Sequence, residues 1–150
     1  MTAIDPASSK PLPEPSALAQ PFWAALRNGQ LQLQRCTGCG HFNHPPRITC
    51  PKCHGKSLVW TEVAPRGTVY SYTIVHRAPM PCFKTDVPYA VALVDIEGTP
   101  ARLLSNLSGP LDQVRVGMPV DVVFERASDE ITLFKFAPAA RSQEAPHAQH

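Results

Sequence analysis

The stretch CTGCGHFNHPPRITCPKC, residues 36–53, sets two Cys-x2-Cys pairs ten residues apart. Cys36, Cys39, Cys50 and Cys53 offer four soft thiolates at a spacing that closes around one metal ion, and tetrahedral sulfur coordination selects zinc or iron. Zinc is the expected occupant, in a structural role, because four thiolates leave no position open for a substrate or a water. An iron centre on the same sulfurs is the alternative. Gly38 and Gly40 suit the tight knuckle turns. His41, His44 and His54 stand close in sequence, but the cysteines already fill the shell, so these are expected to be solvated loop residues. Structural zinc contributes ~10–16 kcal/mol to the folding of small modules, more than a short, mostly polar segment gains by packing.

Other residues invite chemistry less strongly. Cys82, in APMPCFKTD, has His76 upstream, which is a nucleophile-and-base pairing in outline. The sequence supplies neither a third, orienting group nor an oxyanion site, and the proline-rich setting reads as a loop, so no catalytic residue is assigned. Tyr70 and Tyr72 lie two apart on an alternating run and are expected to share a strand face. They could stack bases, but the segment around them is net acidic, and packing is the expected role.

Charge separates the function classes further. The net charge is +2: residues 1–60 contribute +4, residues 61–137 contribute −2, and the remaining tail is neutral. Four thiolates around zinc add about −2, which brings the metallated chain near neutrality. That is a poor start for a protein that must grip a phosphate backbone, so nucleic acid is disfavoured as a partner. No apolar run approaches the ~20 residues needed to span a bilayer. The opening residues MTAIDPASSKPLPEP lack the apolar core of a secretory signal, and cysteines in metal spacing suit a reducing compartment. A cytoplasmic protein is expected.

The elements that must position these residues follow from periodicity and turn signals. Residues 1–16 are rich in Pro and Ser and are expected to be disordered. Residues 17–29 read as a short helix with Pro21 at its start and Gly29 past its end. Phe22, Trp23 and Leu26 give it one apolar face, to be covered by its own domain or by a partner chain, and they are the candidate interface residues. Residues 30–60 read as a zinc ribbon, with LQLQRC leading in and SLVWTEV leading out as strands. Residues 61–137 hold five short strands, GTVYSYTIVHR, PYAVALVDIE, ARLLSNL, VDVVFE and ITLFKF, with GPLDQVRVGMP interrupting them as a loop or short helix. Five strands with that interruption predict an OB-fold barrel. Residues 138–150 are expected to be a disordered tail. The fold class is therefore mainly β: a short helix, a ribbon and a five-stranded barrel.

The run PFWAALRNGQLQLQRCTGCGHFNHPPRITCPKC, followed by GTVYSYTIVHR, PYAVALVDIEG, RLLSNL and VGMPVDVVFE, resembles the domain-of-unknown-function thirty-five family over residues 20–138. The resemblance implies a rubredoxin-like zinc ribbon joined to an acyl-CoA-associated OB-fold, with Cys36, Cys39, Cys50 and Cys53 as the ribbon ligands. It implies an accessory subunit without catalysis of its own, in a hetero-oligomer with a thiolase-like enzyme or a hot-dog-fold hydratase acting on CoA thioesters. The ribbon fits this physically: from Gln30 to Trp60 it carries Arg35, Arg47, Lys52 and Lys56 and no acid. That suffices for the phosphates of one CoA but is thin for a polynucleotide. Arg47, Lys52 and Lys56, with Arg77 at the end of the first barrel strand, are the candidate CoA-binding residues.

Overall fold

The computed structural model describes residues 9–140. The termini expected to be disordered lie outside the described residues for 1–8 and 141–150. Residues 9–16 are described and run without regular structure into a 3-10 turn at Ala17–Ala19, capped by the Ser16 side chain. Helix α1, Gln20–Arg27, follows with Pro21 in its first turn, where a missing N–H costs nothing. Its C-terminus is a Schellman motif: Gln30 N–H reaches Ala25 C=O at 2.9 Å and Gly29 N–H reaches Leu26 C=O at 3.0 Å. Gly29, at φ 70°, takes the left-handed position that favours glycine there.

Strands β1 (Leu31–Cys36), β2 (Phe42–Asn43) and β3 (Leu58–Val63) form an antiparallel sheet in the order β2-β1-β3. Ala64 and Pro65 then lead into β4 (Arg66–Val75). With β5 (Tyr89–Ile96), β6 (Arg102–Leu107), β7 (Pro119–Arg126) and β8 (Thr132–Pro138), β4 builds a closed barrel in the order β4-β5-β6-β8-β7. The β6–β8 contact is parallel, through Leu107 and Phe136, and the remaining pairs are antiparallel. This is the expected five-stranded OB fold. The stretch 108–118 between β6 and β7 is the interruption, with a 3-10 turn at Leu111–Gln113.

Packing makes helix, ribbon and barrel one body. Phe22 and Leu26 of α1, Leu31 and Leu33 of β1, and the inward residues Val69, Val94, Leu103, Val120 and Phe136 belong to one buried cluster. Phe22 meets Phe134 of β8 edge to face, with ring centroids 5.9 Å apart, a favourable aromatic geometry. The apolar face of α1 is therefore covered by its own chain: Phe22 and Leu26 are 3% and 0% exposed, and only Trp23 remains partly open. The boundary expected at residue 60 falls inside β3, all six of whose residues pair with β1.

The alternation of β4 breaks at one point. Val69 faces Val94 and Tyr72 faces Ala92, with a bulge between Val69 and Ser71. Residues directly opposite share a sheet face, so Tyr72 lies on the side of the buried Val94 and Ala92. Tyr70 lies on the other side, where the Arg102 guanidinium covers its ring at 3.5 Å. The two tyrosines do not form the shared face that strict alternation predicts. The extra residue of a bulge reverses the phase.

Candidate functional site

The two knuckles are built alike from short-range hydrogen bonds. In the first, Gly40 N–H reaches Cys36 C=O and Cys36 N–H reaches His41 C=O, both at 2.8 Å. In the second, His54 N–H reaches Cys50 C=O at 2.9 Å and Cys50 N–H reaches Gly55 C=O at 2.8 Å. The residue after each second cysteine is left-handed, Gly40 at φ 76° and His54 at φ 62°. His54 thus holds a turn position equivalent to a glycine, a conformation uncommon for a residue with a side chain.

These turns bring all four sulfurs within 4.8 Å of one another, with Cys36–Cys53 and Cys39–Cys50 each at 3.6 Å. A tetrahedron with zinc–sulfur bonds of about 2.3 Å has edges of about 3.8 Å, so the donor set fits zinc. The amides of Cys53 and Lys52 draw the Cys50 thiol down to about 7. The Cys39 amide likewise lowers Cys36. For Cys53 the Gly55 N–H pulls towards thiolate, yet the crowding of the Cys36, Cys39 and Cys50 sulfurs pushes it up to about 11. Backbone donors thus favour thiolate while mutual repulsion opposes a fourth. A divalent cation at the centre removes that conflict.

One residue that sequence reading passed over holds the loop between the knuckles. Alternation along LQLQRC places Gln34 outward, but it is buried. Its side-chain N–H donates to Arg47 C=O at 2.9 Å, and its side-chain oxygen accepts from Arg47 N–H at 2.8 Å and from the Asn43 amide at 3.0 Å. The loop covering this face of β1 is polar backbone, so a glutamine satisfies it where an apolar residue would not.

The other candidate residues are dispersed. The side chains of Arg47, Lys52 and Lys56 are exposed on the ribbon. Arg77 follows β4 in the β4–β5 loop, where it lines a cleft of about 510 Å³ with His76, Lys84 and apolar residues including Met80 and Val87. None of the three ribbon cations lines that cleft. Lys84 was not singled out from the sequence, and nothing but its place in the same loop would have marked it. Cys82 sits half-buried on a 3-10 turn, Pro81–Phe83, and does not line the cleft. From the side opposite in sequence, Lys10 reaches the same loop. Its ammonium lies 2.5 Å from the Asp86 carboxylate and 5.6 Å from the centre of the Phe83 ring.

Comparison with known proteins agrees with this architecture. Residues 23–59 match the ChsH2 rubredoxin-like zinc ribbon domain, and residues 60–125 match the ChsH2 C-terminal OB-fold domain. A DUF35 domain-containing scaffold protein of Pyrococcus furiosus is 32% identical over 128 residues, covering 81% of this chain and 93% of that protein. The chain belongs to the DUF35 family. Its ribbon is accordingly a structural zinc site. A Thermomonospora curvata protein named "Probable enoyl-CoA hydratase alpha subunit" is 41% identical over 126 residues. The match takes in 82% of this chain but only 38% of that relative's length. Among solved structures, one described as an Ltp2-ChsH2(DUF35) aldolase superposes with a TM-score of 0.74 at 36% identity, over 85% of this chain and 98% of the matched one. A DUF35 protein of unknown function from Sulfolobus solfataricus shares the fold at 21% identity and a TM-score of 0.61. No described helix is long and apolar enough to cross a membrane.

Proposed function

We propose that this chain is a non-catalytic accessory subunit that helps position an acyl-CoA thioester for a thiolase-like or hydratase-type partner, in a cytoplasmic hetero-oligomer. The observation that carries the reading is the likeness to the DUF35 chain of the Ltp2-ChsH2 aldolase over 98% of that chain. The hydratase alpha subunit relative supports it, since there too a chain like this one is part of a larger CoA enzyme. The chemistry of the ribbon is in accord: four thiolates complete the zinc shell, so the metal holds structure and has no position for substrate. Arg47, Lys52, Lys56 and Arg77 remain the proposed contacts to the CoA phosphates, and the exposed part of Trp23 remains a proposed partner contact. Single-stranded nucleic acid is the weaker reading, because Arg102 already covers one face of the Tyr70 ring on which a base would stack.

An accessory role predicts loss of function in trans. Co-expression with any thiolase-like or hydratase reading frame found beside its gene should give a stable hetero-oligomer by size-exclusion chromatography. Partner turnover of a CoA thioester should fall when this chain is omitted, because binding energy from the remote CoA handle helps orient the reacting carbon. A chain that elutes alone as a monomer, beside a partner of undiminished activity, would sink the proposal.

A further inference from the structure

We infer that the cleft beneath the β4–β5 loop binds a phosphate-bearing small molecule, with His76, Arg77 and Lys84 as its anion ligands and Lys10 as the residue that keeps it positive. The cleft's size, about 510 Å³, lies within the usual range for small-molecule sites. Among the described residues no ion pair engages His76, Arg77 or Lys84, so their donors are free for an incoming anion. The loop's only acid, Asp86, does not line the cleft and is held by Lys10 at 2.5 Å. Lys10 also lies over Phe83, so the segment before α1 braces the loop through two contacts. The cleft is thereby cleared of negative charge by a residue outside it.

The rest of the lining identifies the ligand class. A site for a free inorganic anion would be polar on all sides, whereas this one sets three cationic or donor groups beside apolar Met80 and Val87. That pairing suits a phosphate or diphosphate on an organic body. The inference rests on the accessory-subunit reading only for naming that body as CoA. It also divides the four cations proposed above. Arg77 belongs to a concave site, while Arg47, Lys52 and Lys56 lie on the exposed ribbon away from it.

The test is isothermal titration of the full-length, zinc-loaded chain with CoA, adenosine 3′,5′-bisphosphate and pyrophosphate as separate probes. CoA should bind, and Arg77→Ala and Lys84→Ala should each weaken binding by about tenfold, the scale of one charge-assisted hydrogen bond. Arg115→Ala, at an exposed position outside the cleft lining, should leave affinity unchanged. Lys10→Gln, which frees Asp86, should weaken binding and flatten its salt dependence, because the site loses positive charge, without lowering Tm by more than a surface ion pair explains. Pyrophosphate binding that depends on Arg77, with no binding of CoA or the bisphosphate, would uphold the cleft and refute the CoA reading. Binding of CoA that ignores Arg77→Ala and Lys84→Ala but is lost in Lys52→Ala would overturn the cleft and leave the accessory role standing. No binding of any probe would overturn the inference outright.

Discussion

At the scale of single residues, the metal centre and its support obey different rules. The cysteines are held by turns whose hydrogen bonds span four or five residues, so their geometry is local. Gln34 is held by Asn43 and Arg47, nine and thirteen residues away, through three hydrogen bonds of a buried side chain. Replacing it by leucine would keep the volume but strand the Arg47 N–H and C=O and the Asn43 amide. Each buried polar group left unpaired costs about 1–3 kcal/mol. Gln34→Leu should therefore lower ribbon stability by roughly 2–4 kcal/mol and hasten zinc loss to a chelator. Denaturant titration and a chromophoric zinc assay would measure the two effects, and a variant equal to wild type in both would refute the staple.

At the scale of elements, β4 is the strand on which the barrel turns. Its second residue is Gly67, where an added Cβ would stand 2.1 Å from Asp95 C=O and 2.8 Å from the Val94 side chain. Neither side has room: the first neighbour is backbone of the paired strand, and the second is core. Forcing a methyl group there costs about 1–3 kcal/mol or more in overpacking. Gly67→Ala should accordingly destabilise the barrel by at least that amount and disturb the β4–β5 register, read as a lower Tm and shifted amide resonances for Asp95 and Ile96. The exposed Gly98→Ala, where nothing lies within 4 Å but φ is 75°, serves as a comparison whose cost is conformational alone. Equal losses in the two variants would contradict the steric account.

At the scale of the whole molecule, α1 is the joint. It lies against β1 of the ribbon and against β7 and β8 of the barrel, so ribbon and barrel share one core. Zinc binding should therefore be felt beyond the ribbon. The metallated protein is expected to contain one zinc per chain by metal analysis and to unfold in one cooperative transition. Cys50→Ser should lose the metal and the ribbon's order, keep part of the barrel's β signal in circular dichroism, and melt at a lower temperature. An unchanged barrel Tm in that variant would show that the two parts are independent.

What the sequence determined by itself is what short-range chemistry controls. Four cysteines in two pairs can close on a metal wherever they sit. Apolar alternation bounded by glycine and proline specifies strands, and Pro21 and Gly29 bracket a helix by their own backbone preferences. The order of those elements was enough to reach the ribbon, the barrel and the family. The tertiary structure decided what depends on residues far apart in the chain. Phe22 and Leu26 face their own core because β1, β7 and β8 converge on them, and an amphipathic pattern does not say which surface covers it. Tyr70 and Tyr72 part company because pairing with β5 places a bulge between them. Lys10 and Asp86, seventy-six positions apart, meet across the β4–β5 loop, and only that meeting leaves Arg77 and Lys84 as the unopposed charges of a cleft. Local preferences are written residue by residue, whereas these contacts exist only once the barrel has closed.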